Sequence, residues 1–490
     1  MNPLDVLRHV DPNVLLVVLD TVRARNVSAY GYHRETTPFL DSFAAERATL
    51  YEQARAPASR SLDSHVSIFT GLAVEEHGVT TTADKLEPGH TIFEELRDDG
   101  YDTGVFTENS WLTDVDAGLK DAFDTIEGPR NVPFPDGLDP TSFVVEHGQG
   151  AYLSFLKDAL KSDAPTKAVL NGLAVKLGSD YPTLLPGDTS TPGEQYVDLF
   201  LKWIDSRSGP WAACLNLMDA HHPYEPQSTY DLWGDDQLRD LQDDIEDVKW
   251  EFNGGQRQWW QRSALEALYD GAIRQLDAQL ERLVTTLERR DQLDDTLLVV
   301  LSDHGEGFGE PSHIRPDTYV ASHSVGVHEV LTHVPLILSA PGQEQSHRVS
   351  EVCSITEFPD VVRAARGGTL DEDGFCSSDP VVATGHGLDE PVQERASRYC
   401  DNLWPFTATA RAVWTGNGTD VRKSITWRDR ATARVCHDAI TSYAIEDGDP
   451  ARVVESAFER LENQQVTTDS RGLEDLNEDA YDHLEDLGYV

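Results

Sequence analysis

Residues Ala264 to Glu306 read ALEALYDGAIRQLDAQLERLVTTLERRDQLDDTLLVVLSDHGE, and the fold class follows from this stretch. Apolar side chains recur at Leu265, Tyr269, Ala272, Ile273, Leu276, Leu280, Leu283 and Leu287. That spacing lines one face of an α-helix. The helix predicted over 264–287 leads through the polar turn Asp291 to Asp295 into Leu297 to Leu301, a short all-apolar run suited to a strand buried on both faces. A helix feeding such a strand implies a right-handed crossover and an α/β sheet. Ligands in such sheets sit beyond the carboxyl ends of the strands. This strand ends at Asp303, His304, Gly305 and Glu306.

Three further apolar runs end the same way. Val14 to Leu19 stops at Asp20, Thr103 to Phe106 stops near Thr107, Glu108 and Asn109, and Trp211 to Met218 stops at Asp219, His221 and His222. Val334 to Leu338, followed by Ala340-Pro341-Gly342, reads as another core strand and a turn. The expected architecture is a mostly parallel central sheet flanked by helices over residues 1–345. Residues 128–195, rich in Pro, Gly and Asp, read as an insertion within it. From about 346 onward shorter segments predict a smaller C-terminal α+β region (346–490). There, Ala410 to Thr415 and Val421 to Trp427 form an antiparallel pair around Asn417-Gly418, and Leu473 to Leu487 form an amphipathic helix. No internal repeat is visible.

The chain has 490 residues with 86 Asp and Glu against 40 Lys and Arg, a formal charge of −46. Such a surface excludes sequence-independent binding to nucleic acid or to an anionic membrane. The carboxylates are spread along the whole chain and only 9 of the 40 basic residues are Lys. That pattern predicts adaptation to high salt, where screening relieves self-repulsion. No window has the ~18 apolar residues of a membrane span. Met1 to Pro12 lacks a basic region followed by an apolar stretch, so a cytoplasmic location is expected. The five cysteines, Cys214, Cys353, Cys376, Cys400 and Cys436, contain no CxxC and form no zinc framework.

Asp303 and His304 at a strand end can place two ligands on one divalent cation, or form a capped polar loop. Asp20, abutting an apolar run, needs a partner such as a metal, or serves as a helix N-cap. Ser59, Ser61, Ser64 and Ser67 crowd the segment around Asp63 and His65. A metal or a base would activate one of them as a nucleophile, whereas a helix start would use them as caps. His221, before His222-Pro223-Tyr224, is placed to donate a proton or bind an anion, or to shape a turn. His323 and His328 carry the same alternatives.

Taken together these segments resemble the sulfatase family, within the alkaline phosphatase superfamily. VLLVVLDTVRARNVSAYGY is similar to the family's first strand and first metal ligand, and TTPFLDSFAAE to the next helix. SHVSIFTGLAVEEHG resembles the block after the nucleophile. YDGAIRQLDAQLERLVTTLERRDQLDDTLLVVLSDHGEGFGE is the most specific match, and SVGVHEVLTHVPLILSAPG and DLNEDAYDHLEDLGYV resemble the downstream blocks. The resemblance implies an alkaline-phosphatase-like fold and a metal-dependent ester hydrolase. Asp20, Ser61, Asp303 and His304 would hold one divalent cation. Ser61, counted back from Thr70-Gly71, would be the nucleophile. His65, His221 and His323 would complete the catalytic set, His323 standing where many members have a Lys.

The departures bear on the substrate. Sulfatases carry Cys/Ser-x-Pro-Ser-Arg and convert the first residue to formylglycine. Here the stretch is Ser61-Leu62-Asp63-Ser64-His65, and Thr21 replaces the second Asp of the opening pair. Formylglycine at Ser61 is therefore not expected. An unmodified Ser resembles phosphate- and phosphonate-transferring relatives. The resemblance favours calcium, and the donor set also suits magnesium, manganese or zinc. The expected activity is hydrolysis of a sulfate ester of a small molecule, glycan or lipid. Phosphate or phosphonate ester hydrolysis, transfer of the group to an alcohol, and a non-catalytic binding role are the alternatives.

Overall fold

The computed structural model describes residues 11–129, 152–162, 165–177, 191–323 and 325–470. An eight-stranded sheet forms its centre. The strands are β1 (Asn13–Leu19), β2 (Thr49–Arg55), β3 (Asp102–Thr107), β4 (Thr125–Glu127), β5 (Trp211–Leu217), β6 (Thr296–Leu301), β7 (Leu336–Ser339) and β8 (His347–Ser354). Their order across the sheet is β8-β2-β7-β6-β1-β5-β3-β4. Every neighbouring pair is parallel except the two made by β7, which runs against both β2 and β6. β1 is the central strand: Val17 lies level with Leu215 on one side and Val300 on the other.

The unbroken apolar runs are explained by this position. In β1, Val14, Leu16 and Val18 enter one buried cluster, while Leu15, Val17 and Leu19 enter the cluster on the opposite face. Leu297, Val299 and Leu301 divide from Leu298 and Val300 in the same way. A strand sandwiched between two helical layers has no solvent face, so alternation disappears from its sequence.

Helix α2 spans Glu266–Arg289 and lays Leu268, Tyr269, Ile273, Leu276, Leu280, Leu283 and Leu287 on one of these faces. It starts two residues later than the apolar pattern indicated. Ala264 belongs instead to a separate short helix, Trp259–Ala264, held where Ser263 donates to the Phe308 carbonyl. Helix α1 (Ser61–Thr70) packs on the other face through Leu62, Val66, Ile68 and Phe69.

A second sheet of five antiparallel strands comprises Val381–Gly385, Ala410–Thr415, Val421–Trp427, Arg430–Cys436 and Ser442–Ile445. The expected pair is present, with Thr415 opposite Arg422 and the turn running through Gly416 and Gly418 in left-handed conformations. β8 lies past residue 345, so the large sheet draws strands from both sides of that position. Within 128–195 the described parts are helical, at Tyr152–Ala159, Pro165–Leu177 and the start of Pro192–Asp205. The helix expected over 473–487 lies outside the described residues. All five cysteines are free thiols. Among the described residues no helix is long and apolar enough to cross a membrane.

Candidate active site

The carboxyl ends of β1, β2, β3, β5 and β6 open on one edge of the sheet, and their first polar residues meet there. Asp20 follows β1 directly and is fully buried. Its Oδ2 accepts hydrogen bonds from the side-chain amides of Asn109 (3.0 Å) and Asn216 (3.1 Å), at the ends of β3 and β5. Its Oδ1 has no hydrogen-bond partner among the described residues. Asp303 and His304, also fully buried, follow β6. Asp303 Oδ1 accepts from the His304 backbone N–H (3.0 Å), and Oδ2, 3.3 Å from His304 Nε2, accepts no hydrogen bond among the described residues. His304 Nδ1 lies 3.0 Å from the Gly305 carbonyl. A carbonyl can only accept, so the proton sits on Nδ1 and the Nε2 lone pair is open.

That lone pair faces Ser61 Oγ at 3.2 Å. Ser61 is the first residue of helix α1 (Ser61–Thr70), in which Ser61 to Phe69 are all buried. Asp20, Asp303 and His304 each present a ligand atom, all within 4.8 Å of one another. Two orphaned carboxylate oxygens, an open imidazole nitrogen and a hydroxyl form a hard, mostly oxygen donor set that fits a divalent cation. Without one, burial and then the charge of Asp303 push the Asp20 carboxyl up to about 7, against His304, Asn216 and Asn109. A cation would reverse that balance.

Gly305 has a role the sequence did not disclose. A Cβ there would stand 2.0 Å from the Val330 carbonyl, so only glycine lets the chain pass. Thr21 holds a left-handed backbone (φ 62°), an outlier for a β-branched residue. Its hydroxyl donates to the Ala220 carbonyl at 2.7 Å and its own carbonyl accepts from Tyr269 at 2.9 Å. The hydroxyl is thus committed to Ala220.

The remaining histidines divide. His323 stacks on His304 with ring centroids 4.6 Å apart, and its Nδ1 lies 3.2 Å from Glu306 Oε2. His221 meets His323 edge-on at 5.0 Å, and its Nδ1 donates to the His222 carbonyl at 2.8 Å. Burial pulls both imidazoles down to about 3. His65 sits one turn along α1, with Nδ1 2.8 Å from the Ser61 carbonyl and 3.6 Å from Asp303 Oδ2. It therefore braces the Ser61 backbone and lies close to Asp303, and burial also lowers its pKa.

An open pocket, about 620 Å³ of empty volume with its solvent mouth included, lies over Ser61 and His323. Its walls include Trp111, Leu388 and Val392, and two cations, Arg60 and Lys249. Neither cation stood out in the sequence, because Lys249 lies in a loop with no motif. Burial, opposed by Asp247 and Glu306, lowers Lys249 to about 8. Glu306 is the buried counter-charge of the site. Burial works against its ionisation, but His323 and Arg262 outweigh that and hold it far below the usual carboxylate range.

The sulfatase family model matches residues 12–365, which span all the strands that build this site. An arylsulfatase of Clostridium perfringens is 23% identical over 413 residues, covering 80% of each chain. A sulfatase of Formosa agariphila is 22% identical over 70% of this chain and 67% of its own. In three dimensions the phosphonate monoester hydrolase of Agrobacterium radiobacter superposes with a TM-score of 0.60 at 17% identity, covering 92% and 94% of the two chains. A 2-O GAG sulfatase gives 0.53 at 17% identity, covering 92% and 90%. With the family's span lying over the strand ends that carry Asp20, Ser61, Asp303 and His304, the chain belongs to the sulfatase family of the alkaline phosphatase superfamily and is a sulfuric-ester-hydrolase-like enzyme.

Proposed function

We propose that this chain hydrolyses sulfate esters, with unmodified Ser61 as nucleophile and one divalent cation held by Asp20, Ser61, Asp303 and His304. The observation that carries the reading is the convergence of three buried ligand groups on the Ser61 side of the helix start. Calcium is the ion favoured by the family reading, and magnesium, manganese and zinc fit the same donors. When bound, the cation lowers the pKa of the serine hydroxyl and takes up charge on the transferred group. Ser61 attacks in line, helped by the positive end of α1. Arg60 and Lys249 face the substrate anion. His221 or His323 carries the proton to the leaving oxygen. Glu306 stabilises the protonated form of His323, and a bound anion adds to this against burial. Water then releases the group from Ser61.

The second reading is phosphonate or phosphate ester hydrolysis. It is favoured by Asp63 and His65, which replace the Pro and Arg of the formylglycine signal. Two carboxylates, a neutral imidazole and a divalent ion sum to zero charge and Asp63 balances Arg60, so Lys249 matches a monoanion better than a dianion. Sulfate monoesters, phosphonate monoesters and phosphodiesters are all monoanions. A paired assay of an aryl sulfate, an aryl phosphonate and aryl phosphate mono- and diesters, with each divalent cation supplied, decides between them. Turnover of the sulfate supports the first reading. Turnover of phosphorus esters alone overturns it in favour of the second, and turnover that requires an added alcohol identifies a transferase.

The Lys249 ammonium sets an alkaline limit. It is charged below about 8 and neutral above, so kcat/KM is expected to fall about tenfold per pH unit beyond that point. Lys249→Met should lower the plateau and flatten this limb. A limb that persists in the variant assigns it elsewhere.

The same reading places the chain in a salt-rich cytoplasm, with a catalytic unit and a smaller C-terminal unit. The melting temperature is expected to climb as KCl rises from about 0.1 M to several molar, because screening relieves the −46 charge. A flat or falling trend removes the salt-adaptation claim.

A further inference from the structure

Asp63 stands where the formylglycine signal has proline, and the structure gives it a specific task. Asp63 is buried in the first turn of α1. Its two oxygens accept from Arg60, Oδ2 from Nε at 3.2 Å and from Nη2 at 2.8 Å, and Oδ1 from Nη2 at 3.1 Å. Arg60 Nη2 also donates to the Thr80 carbonyl at 2.7 Å. The guanidinium is thereby fixed in plane and position. Its Nη1 makes no hydrogen bond among the described residues. Arg60 immediately precedes Ser61, and both line the pocket together with Asp63, Thr80 and Lys249.

An exposed pair three residues apart on a helix stabilises little. This one is different, because one partner is buried and the other borders the nucleophile. With Nε and both hydrogens of Nη2 engaged by Asp63 and Thr80, the two N–H groups of Nη1 are left for a ligand, with the ordering entropy already spent in the free protein. We propose that Arg60 is a further substrate-binding residue that contacts the anionic group of the ester, and that Asp63 is the residue that positions it. This rests on the ester-hydrolase reading for the identity of the ligand. The ligand class is a tetrahedral oxyanion, recognised by a charge-assisted N–H pair.

The test measures binding of inorganic sulfate and inorganic phosphate to the calcium-loaded full chain by calorimetry, alongside KM and kcat on the aryl esters. Arg60→Gln is expected to weaken oxyanion binding and raise KM by about 10- to 100-fold, with kcat changing less. Arg60→Lys should recover part of that loss. Asp63→Asn should raise KM in the same direction without altering the pH profile set by Lys249. The double variant Arg60→Gln/Asp63→Asn separates contact from repulsion. If Arg60 touches the anion, the double variant stays as weak as Arg60→Gln. If it returns to within about twofold of wild type, the loss came from a bare Asp63 carboxylate and the proposal is overturned. Thermal melts confirm that each variant is folded. Esters turned over normally while Arg60→Gln leaves oxyanion binding unchanged would overturn the Arg60 assignment and leave the hydrolase reading standing. Oxyanion binding that depends on Arg60, with no ester turned over, would do the reverse. A wild type that binds neither anion overturns both.

Discussion

Ser61→Ala is expected to reduce turnover of the preferred ester by roughly 10³-fold or more, the scale seen when a covalent nucleophile is removed. The argument is positional. Ser61 Oγ is the hydroxyl that lies within 3.2 Å of the open His304 nitrogen, at the first residue of a buried helix. Alanine deletes the proposed attacking oxygen and one of the four proposed cation ligands together, so cation affinity should fall as well. The fold should tolerate the change, since a single neutral hydrogen bond contributes about 1 kcal/mol. Two neighbours serve as controls. The Ser59 and Ser64 hydroxyls are also buried, and neither has a hydrogen-bond partner among the described residues. Ser59→Ala and Ser64→Ala should therefore keep activity within about tenfold. Activity that survives Ser61→Ala but disappears in one of the others would move the nucleophile to that residue.

The core of the sheet was legible because strands buried on both faces have a signature of their own. Val14 to Leu19 and Leu297 to Leu301 are apolar without alternation, and each stops at the residue that reaches the site. The carboxylates that meet at the candidate cation site were legible for the same reason: Asp20 and Asp303 are first charges after such runs. The direction of β7 was not, since VPLIL is equally apolar whichever way it runs, and here it opposes both neighbours. His65 was readable as a site residue but not in its placement. The helical step of four brings its Nδ1 back to the Ser61 carbonyl, where it braces rather than faces the pocket. Lys249 was invisible, because it reaches the pocket through the packing of a loop whose sequence carries no periodic or motif signal. Asp63 was on view as a departure from a familiar motif, but only three dimensions show that Arg60 answers it.

Asp20→Asn is expected to change stability and activity in opposite directions. In the metal-free protein Asp20 is buried beside Asp303, and its carboxyl is raised from an ordinary 3.8 to about 7. The folded state therefore binds more protons than the unfolded state between those values. Stability falls as pH climbs through that window and is flat above it, a penalty on the order of 4 kcal/mol at most. Asparagine removes the penalty. Its amide oxygen can still accept from Asn109 and Asn216. In a chelator at pH 8 the variant should thus melt above wild type. Supplying calcium should invert the order. A ligand at 100 times its dissociation constant stabilises the folded state by about 2.7 kcal/mol; wild type should gain this and the variant, having lost a charged donor, should not. Activity should be lost in the variant at any calcium concentration that leaves the site empty. A variant less stable than wild type in chelator would mean that the Asp20 carboxylate is held by its amide partners strongly enough to outweigh burial and the Asp303 charge. The case for a cation as the group that balances this site would then lose its electrostatic support, leaving only the geometry of the donor atoms.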